Sequence, residues 1–287
     1  MRYHFLRFPE GRGKAVTLSY DDGCPQDVRF SEIISPYGLK CTFNFNNKAL
    51  KDMFAAPVLS KETVERCFFA NGHEIAVHGA FHKACGIVRP VEGIRDVLEC
   101  RLELEKTYGR IIRGMAFPDT GITHFANGTD YAKVKQYLTE LDIAYARTLG
   151  GDNNSFALPA DWHCWMPTAH HNNPQIFDYI DEFLAIDFSP AKFHAVRHPR
   201  LFYLWGHSYE FDNDQNWDRL TEICEKLAGK DDVWYATNME IYEYVHAYES
   251  LVYSADGSMV YNPTLHTIWF DVDGKPYVVH AGETITL

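Results

Sequence analysis

Three short segments of this chain hold the residue types that carry hydrolytic chemistry. Ser19-Tyr20-Asp21-Asp22-Gly23 sets two carboxylates side by side. His78-Gly79-Ala80-Phe81-His82 sets two imidazoles four residues apart. Gly206-His207-Ser208 adds another imidazole far downstream. Each has an ordinary explanation alone: Asp-Asp-Gly is a common turn, and paired histidines occur in many cores and surfaces. Taken jointly they suit a metal site. Histidines at i and i+4 share a face if the backbone turns helically between them. One aspartate then completes a three-ligand set of neutral imidazole and carboxylate, suited to a borderline divalent cation such as zinc. The second aspartate is left beside the cation, placed to take a proton from water. A cation of this kind lowers the pKa of its water from about 15.7 toward about 7 and polarises a carbonyl oxygen.

The elements that must bring these segments together alternate along the chain. Strand-like runs fall at Ala15–Leu18, Cys41–Phe45, Glu74–Val77, Ile111–Phe117, Ile143–Ala146, Leu201–Trp205 and Val233–Ala236. Helical spacing falls between them, at Val28–Ser35, Ser60–Ala70, Val91–Tyr108, Tyr131–Leu141, Gln175–Leu184, Trp217–Leu227 and Met239–Tyr248. Ser60 is the expected N-cap of its helix, and Asn71-Gly72 its stop. Strand and helix in regular alternation predict parallel strands with helical crossovers. The fold class is therefore α/β, a (β/α) barrel, incomplete or distorted, with about seven parallel strands, ahead of an open sheet. In such a barrel the strand C-termini open onto one face, and all three segments follow strands. The barrel is expected over residues 1–249 and a small β-hairpin appendage over 250–287, where Asp256-Gly257 and Asp273-Gly274 are two-residue turn signals. The appendage is too short to stand alone and must pack on the barrel.

Composition narrows the function classes. The 287 residues carry 27 Lys plus Arg against 39 Asp plus Glu, a formal charge of −12, so neither nucleic acid nor an anionic membrane surface is an expected partner. No apolar run approaches the roughly 20 residues of a membrane span, and the first residues lack a signal-peptide pattern. The seven cysteines are scattered, with no CxxC, which reads as thiols in a reducing compartment and a cytoplasmic protein.

With these motifs in order, the sequence resembles the polysaccharide deacetylases with a NodB-homology domain, the fourth carbohydrate esterase family. Ser19-Tyr20-Asp21-Asp22-Gly23 stands for that family's Thr-Phe-Asp-Asp-Gly, and His78-Gly79-Ala80-Phe81-His82 for its His-(Ser/Thr)-x-x-His, with Gly79 in the Ser/Thr place. The resemblance implies that Asp21 is the base and that Asp22, His78 and His82 hold the metal. The third motif, Arg-x-Pro-Tyr, is altered here to Ala116-Phe117-Pro118-Asp119, without the arginine that steadies the base. Arg147, just beyond the strand Ile143–Ala146, is the expected substitute. Asp161-Trp162 resembles the fourth motif and Trp205-Gly206-His207 the fifth, which implies that His207 is the general acid and Asp161 its orienting partner. The adjacent His170-His171 matches no motif.

The activity this implies is metal-dependent removal of an acetyl group from an N-acetylated, or O-acetylated, sugar or glycoconjugate. Zinc is the first expectation for the metal, with cobalt, nickel and other divalent cations as alternatives. Tyr20, through its backbone N–H, is a candidate oxyanion donor, and Tyr20, Trp162, Trp205 and Pro118 are candidate pocket residues, the tryptophans offering faces to a sugar ring. The competing readings are a catalytically degenerate carbohydrate-binding protein, a hydrolase of small cyclic amides, and a structural barrel whose Asp and His residues are coincidental. Partners are expected to be a carbohydrate or a small acylated compound.

Overall fold

The computed structural model describes residues 2–46, 59–149, 155–189 and 197–287. Among them β1 (His4–Arg7), β2 (Lys14–Asp22), β3 (Cys41–Phe45), β4 (Glu74–Val77), β5 (Gly114–Ala116), β6 (Tyr145–Arg147), β7 (Ala169–His170), β8 (Arg200–Gly206) and β9 (Val233–Tyr235) alternate with helices. Seven strands run in the order β6-β5-β4-β3-β2-β8-β7, all pairs parallel, and β9 also pairs with β2. At the far end Trp165 bridges to Arg147 of β6, and the chain then runs into β7 beside β8, so the sheet curls round on itself. The expected distorted (β/α) barrel is the observed architecture.

β2 is the central strand and is buried at every residue, because helices cover one face and the barrel interior takes the other. Alternation along it sorts the side chains. Val16, Leu18 and Tyr20 join the large core between sheet and helices, with Phe30, Phe43 and Phe202. Thr17, Ser19 and Asp21 face inward, where Asn238 and Asn44 bond to them. The interior is thus polar and leads up to a carboxylate at the strand's carboxyl end. β2 also runs past the expected Leu18, so both aspartates lie in the strand and the turn starts after them.

Local signals place most helix ends. The Ser60 hydroxyl accepts the Thr63 N–H at 3.2 Å, and Gly72 and Gly109 close their helices in the left-handed region at φ 72° and 66°. The predicted strand Ile111–Phe117 is shorter, only Gly114–Ala116. β7, two residues long, carries too little pattern to stand out in the sequence.

The C-terminal strands β10 (Val252–Tyr253), β11 (Met259–Tyr261), β12 (Ile268–Val272), β13 (Lys275–Val279) and β14 (Thr284–Thr286) form two small antiparallel sheets. Asp273-Gly274 makes the expected two-residue turn, both residues at positive φ, 51° and 91°. Asp256-Gly257 does not: the loop from β10 to β11 holds five residues, knotted by Asp256 accepting from Ser254 and Ser258. β1 completes one of these sheets by pairing with β12, so the appendage takes in the chain's start. Its apolar residues Val260, Ile268 and Phe270 pack with Tyr244, Val245 and Leu251 in a second core. No disulfide joins any of the seven cysteines. Among the described residues no helix is long and apolar enough to cross a membrane.

Candidate metal and catalytic site

β2 and β4 are both neighbours of β3, and their carboxyl ends deliver the two motifs to one place. Asp22, the last residue of β2, has φ 83°, a left-handed conformation that costs a non-glycine residue free energy and that turns the strand end. Its Oδ1 accepts from Asn46 Nδ2 and lies 3.5 Å from His82 Nε2 and 3.8 Å from His78 Nε2. His78 Nδ1 is 2.9 Å from the Ala116 carbonyl oxygen. A carbonyl only accepts, so Nδ1 carries the proton and Nε2 presents its lone pair toward Asp22. One carboxylate oxygen and two imidazole nitrogens, all within 4.8 Å of one another, fit a divalent cation at the usual bond lengths of about 2.0–2.2 Å.

His78 and His82 do not meet through a helical turn, contrary to the expectation. Residues 78–82 form an irregular loop with Gly79 at φ 73° and His82 at φ 52°. The buried Asp96 holds this loop: its Oδ1 accepts the Phe81 N–H and its backbone oxygen the Ala80 N–H. A β-carbon on Gly79 would collide with Asp96 Oδ2, and its positive φ also favours glycine.

Asp21 sits beside this set, fully buried. Arg147 Nη2 donates to its Oδ2 at 2.5 Å, and Asn44 Nδ2 to its Oδ1 at 2.9 Å. Burial pushes the Asp21 carboxyl up, but Arg147, His78, His207 and Asn44 together outweigh it and hold the pKa below the ordinary value. The Arg147 guanidinium in turn lies 4.6 Å over the Trp205 ring. His207 Nε2 is 3.9 Å from Asp21 Oδ2, and His207 Nδ1 is 3.4 Å from Glu210 Oε1. Burial lowers the His207 pKa, but the nearby Glu210, Asp21 and Asp22 carboxylates reverse this, and the net shift is upward.

A cavity of about 290 Å³ opens over these groups, lined by Asp21, Asp22, His78, His82, Trp205 and His207, with Phe117, Asp119, Thr120, Leu149 and Tyr209 around them. Four sequence-predicted residues lie elsewhere. The Asp161 carboxylate accepts from Tyr131, Lys135 and the His163 N–H, and makes no bond to His207; the carboxylate oxygen nearest His207 Nδ1 is Glu210 Oε1. Trp162 packs on Trp165, Tyr242 and His246, away from the cavity. The Tyr20 side chain points to the helix layer, against Phe30 and Phe211. Pro118 is buried behind the Gly79 loop, while its neighbours Phe117 and Asp119 line the wall. Glu210 was findable, being three residues beyond His207 at the start of a helix. Asn46 and Asp96 carry no motif that would mark them.

A curled parallel (β/α) barrel with its ionisable groups gathered at the carboxyl ends of β2, β4, β6 and β8 has the architecture of the polysaccharide deacetylases. Residues 9–139, just under half of the chain, match the family model described as polysaccharide deacetylase. The match ends before β6, and Arg147, His207 and Glu210 lie outside it. Among solved structures, a polysaccharide deacetylase, itself described as putative, from Mycobacterium smegmatis is similar at 16% identity and TM-score 0.54, covering 87% of this chain and 96% of its own. The chitin deacetylase of the fungal pathogen Colletotrichum lindemuthianum is similar at 15% identity and TM-score 0.50, covering 82% and 89%. A Streptococcus pyogenes deacetylase in complex with acetate aligns at 17% identity and TM-score 0.39, over 47% of this chain and 55% of that one. No curated protein matches the chain.

Proposed function

We propose that the chain is a metal-dependent hydrolase that removes an acetyl group from an N-acetylated sugar or glycoconjugate. The observation that carries this reading is Asp21, paired with Arg147 and facing His207, at the edge of the Asp22–His78–His82 donor set in one cavity. A divalent cation on those three ligands supplies Lewis acidity toward the acyl oxygen and toward water. Asp21 takes the proton from the water that attacks the carbonyl carbon. Arg147 keeps Asp21 ionised and, with Asn44, fixes its orientation. As the carbon–nitrogen bond breaks, His207 gives its proton to the departing amine, and Glu210 holds the imidazole in place. Trp205 and Tyr209 offer aromatic faces at the cavity wall for a sugar ring. The cavity is at the small end of ligand sites, which run from about 300 Å³ upward, and suits an acyl group with one ring.

One structural relative is a chitin deacetylase, so N-acetylglucosamine oligomers are the substrates to try first. Metal-loaded protein is incubated with these oligomers, with aryl acetates and with small cyclic amides, and acetate or ring opening is measured. The reading predicts acetate release from the oligomers that Asp21→Asn lowers by about 10²-fold or more while the metal stays bound. Ring opening without acetate release, or equal activity in Asp21→Asn, contradicts it.

A further inference from the structure

We propose that His170, His171 and Glu210 form a second divalent-cation site, separate from the Asp22–His78–His82 set. His170 ends β7, His171 follows it, and Glu210 lies in the short helix Tyr209–Asn213 after β8. His170 Nε2 is 3.0 Å and His171 Nε2 3.4 Å from Glu210 Oε2, and the three donor atoms lie within 4.8 Å of one another. Those separations are what atoms sharing one cation show when each bond is about 2.0–2.2 Å.

The second observation is His171 itself. Its side chain is 0% exposed, and among the described residues neither ring nitrogen has a hydrogen-bond partner. Buried polar groups are almost always satisfied, so a ring left bare in this position calls for a ligand. The ring is stacked 4.2 Å from Phe211, with its Nε2 aimed at Glu210. Gly206 makes this placement feasible, because a β-carbon there would collide with His171 Nδ1. That accounts for a glycine between Trp205 and His207.

A direct His170–Glu210 hydrogen bond is the competing arrangement. His170 Nδ1 accepts the Asn172 N–H at 3.1 Å, which leaves the proton on Nε2 to donate to Glu210. That arrangement satisfies His170 and leaves His171 bare. With a cation present the His170 proton moves to Nδ1, the Asn172 contact is given up, and all three groups are used. Two imidazoles and a carboxylate suit zinc or a similar ion. The ion would clamp the loop after β7 to the loop after β8 and fix Glu210, whose other oxygen faces His207.

The test is metal stoichiometry on the whole chain. Protein is stripped with chelator, reloaded with zinc, desalted, and assayed for zinc per chain by mass spectrometry, with circular dichroism as a folding check. Wild type is expected to hold two equivalents, His82→Ala one, His170→Ala one, and the double variant none. Glu210→Gln reads the same position as His170→Ala and replaces it should that variant not fold. One equivalent in wild type, lost in His82→Ala and kept in His170→Ala, overturns the second site and leaves the deacetylase reading intact. One equivalent kept in His82→Ala and lost in His170→Ala supports the second site and removes the metal from the deacetylase reading. No zinc in wild type overturns both.

Discussion

Arg147 Nη2 stands 2.5 Å from Asp21 Oδ2, with the two side chains 0% and 3% exposed. The residues are 126 positions apart and come from the ends of β6 and β2. Because the family's third-motif arginine is absent, this pair is what keeps a buried carboxylate charged at the centre of the cavity. Among the described residues Arg147 Nε and Nη1 have no hydrogen-bond partner, and the guanidinium meets Asp21 and the face of Trp205.

Breaking the pair leaves a buried charge alone. Arg147→Leu should cost about 3–5 kcal/mol in denaturant unfolding, since removal of one member of a buried pair is strongly destabilising. Adding Asp21→Asn to the same chain should recover part of that loss. Simple additivity of the two single changes would show that the residues do not act as a pair.

Gly79 should resist reversion to the family pattern. Gly79→Thr introduces a β-branched residue at φ 73° and a clash with Asp96, so it is expected to lower stability by about 1–3 kcal/mol. The His78–His82 loop would shift with it, and zinc affinity would fall. A variant as stable as wild type, with unchanged zinc affinity, would show that Asp96 does not set this loop.

The Asp22–His78–His82 donor set was legible because each residue lies in a short contiguous motif at a strand end. The orienting partners were not, because they come from distant segments. Asp161 sits in an Asp-Trp pair that matched the family pattern, yet tertiary packing gives its carboxylate to Tyr131 and Lys135. The Tyr20 side chain could have been set aside as pocket lining from alternation along β2, a rule Asp22 escapes because its φ of 83° turns the strand end. β1 was invisible because its four residues gain strand structure only by pairing with β12, more than 260 positions on. The barrel itself was readable because strand and helix patterns alternate from Ala15 to Tyr248, ahead of the all-β appendage.

Glu210 should matter in proportion to how badly the leaving group needs a proton. Glu210→Gln is expected to lower kcat on N-acetyl sugars by about 10²-fold, the low end for general acid catalysis, and to spare aryl acetates, whose phenolate departs unaided. Equal losses on both substrates would mean that Glu210 only supports the fold.

Asp27 predicts a pH signature in stability. It is fully buried, its Oδ1 accepts from Ser208 at 2.6 Å, and its Oδ2 has no hydrogen-bond partner among the described residues. Burial pushes its pKa up to about 8 against 3.8 for an exposed aspartate, despite the Ser208 bond. The folded state therefore holds a proton that the unfolded chain has released. The resulting stabilisation is full below about pH 3.8 and is lost as pH rises through about 8. Asp27→Asn removes the group, so between pH 5 and pH 8 its stability relative to wild type should rise by on the order of 4 kcal/mol. A constant difference across that range contradicts the assignment.

The central claim is that Asp22, His78 and His82 share one cation beside Asp21. Crystals of zinc-loaded protein, measured at the zinc absorption edge, test it directly by anomalous scattering. The account predicts a strong peak about 2.0–2.2 Å from an Asp22 oxygen and from Nε2 of both histidines, with Asp21 unligated and still paired to Arg147. A loaded crystal with no peak between these three side chains would contradict it.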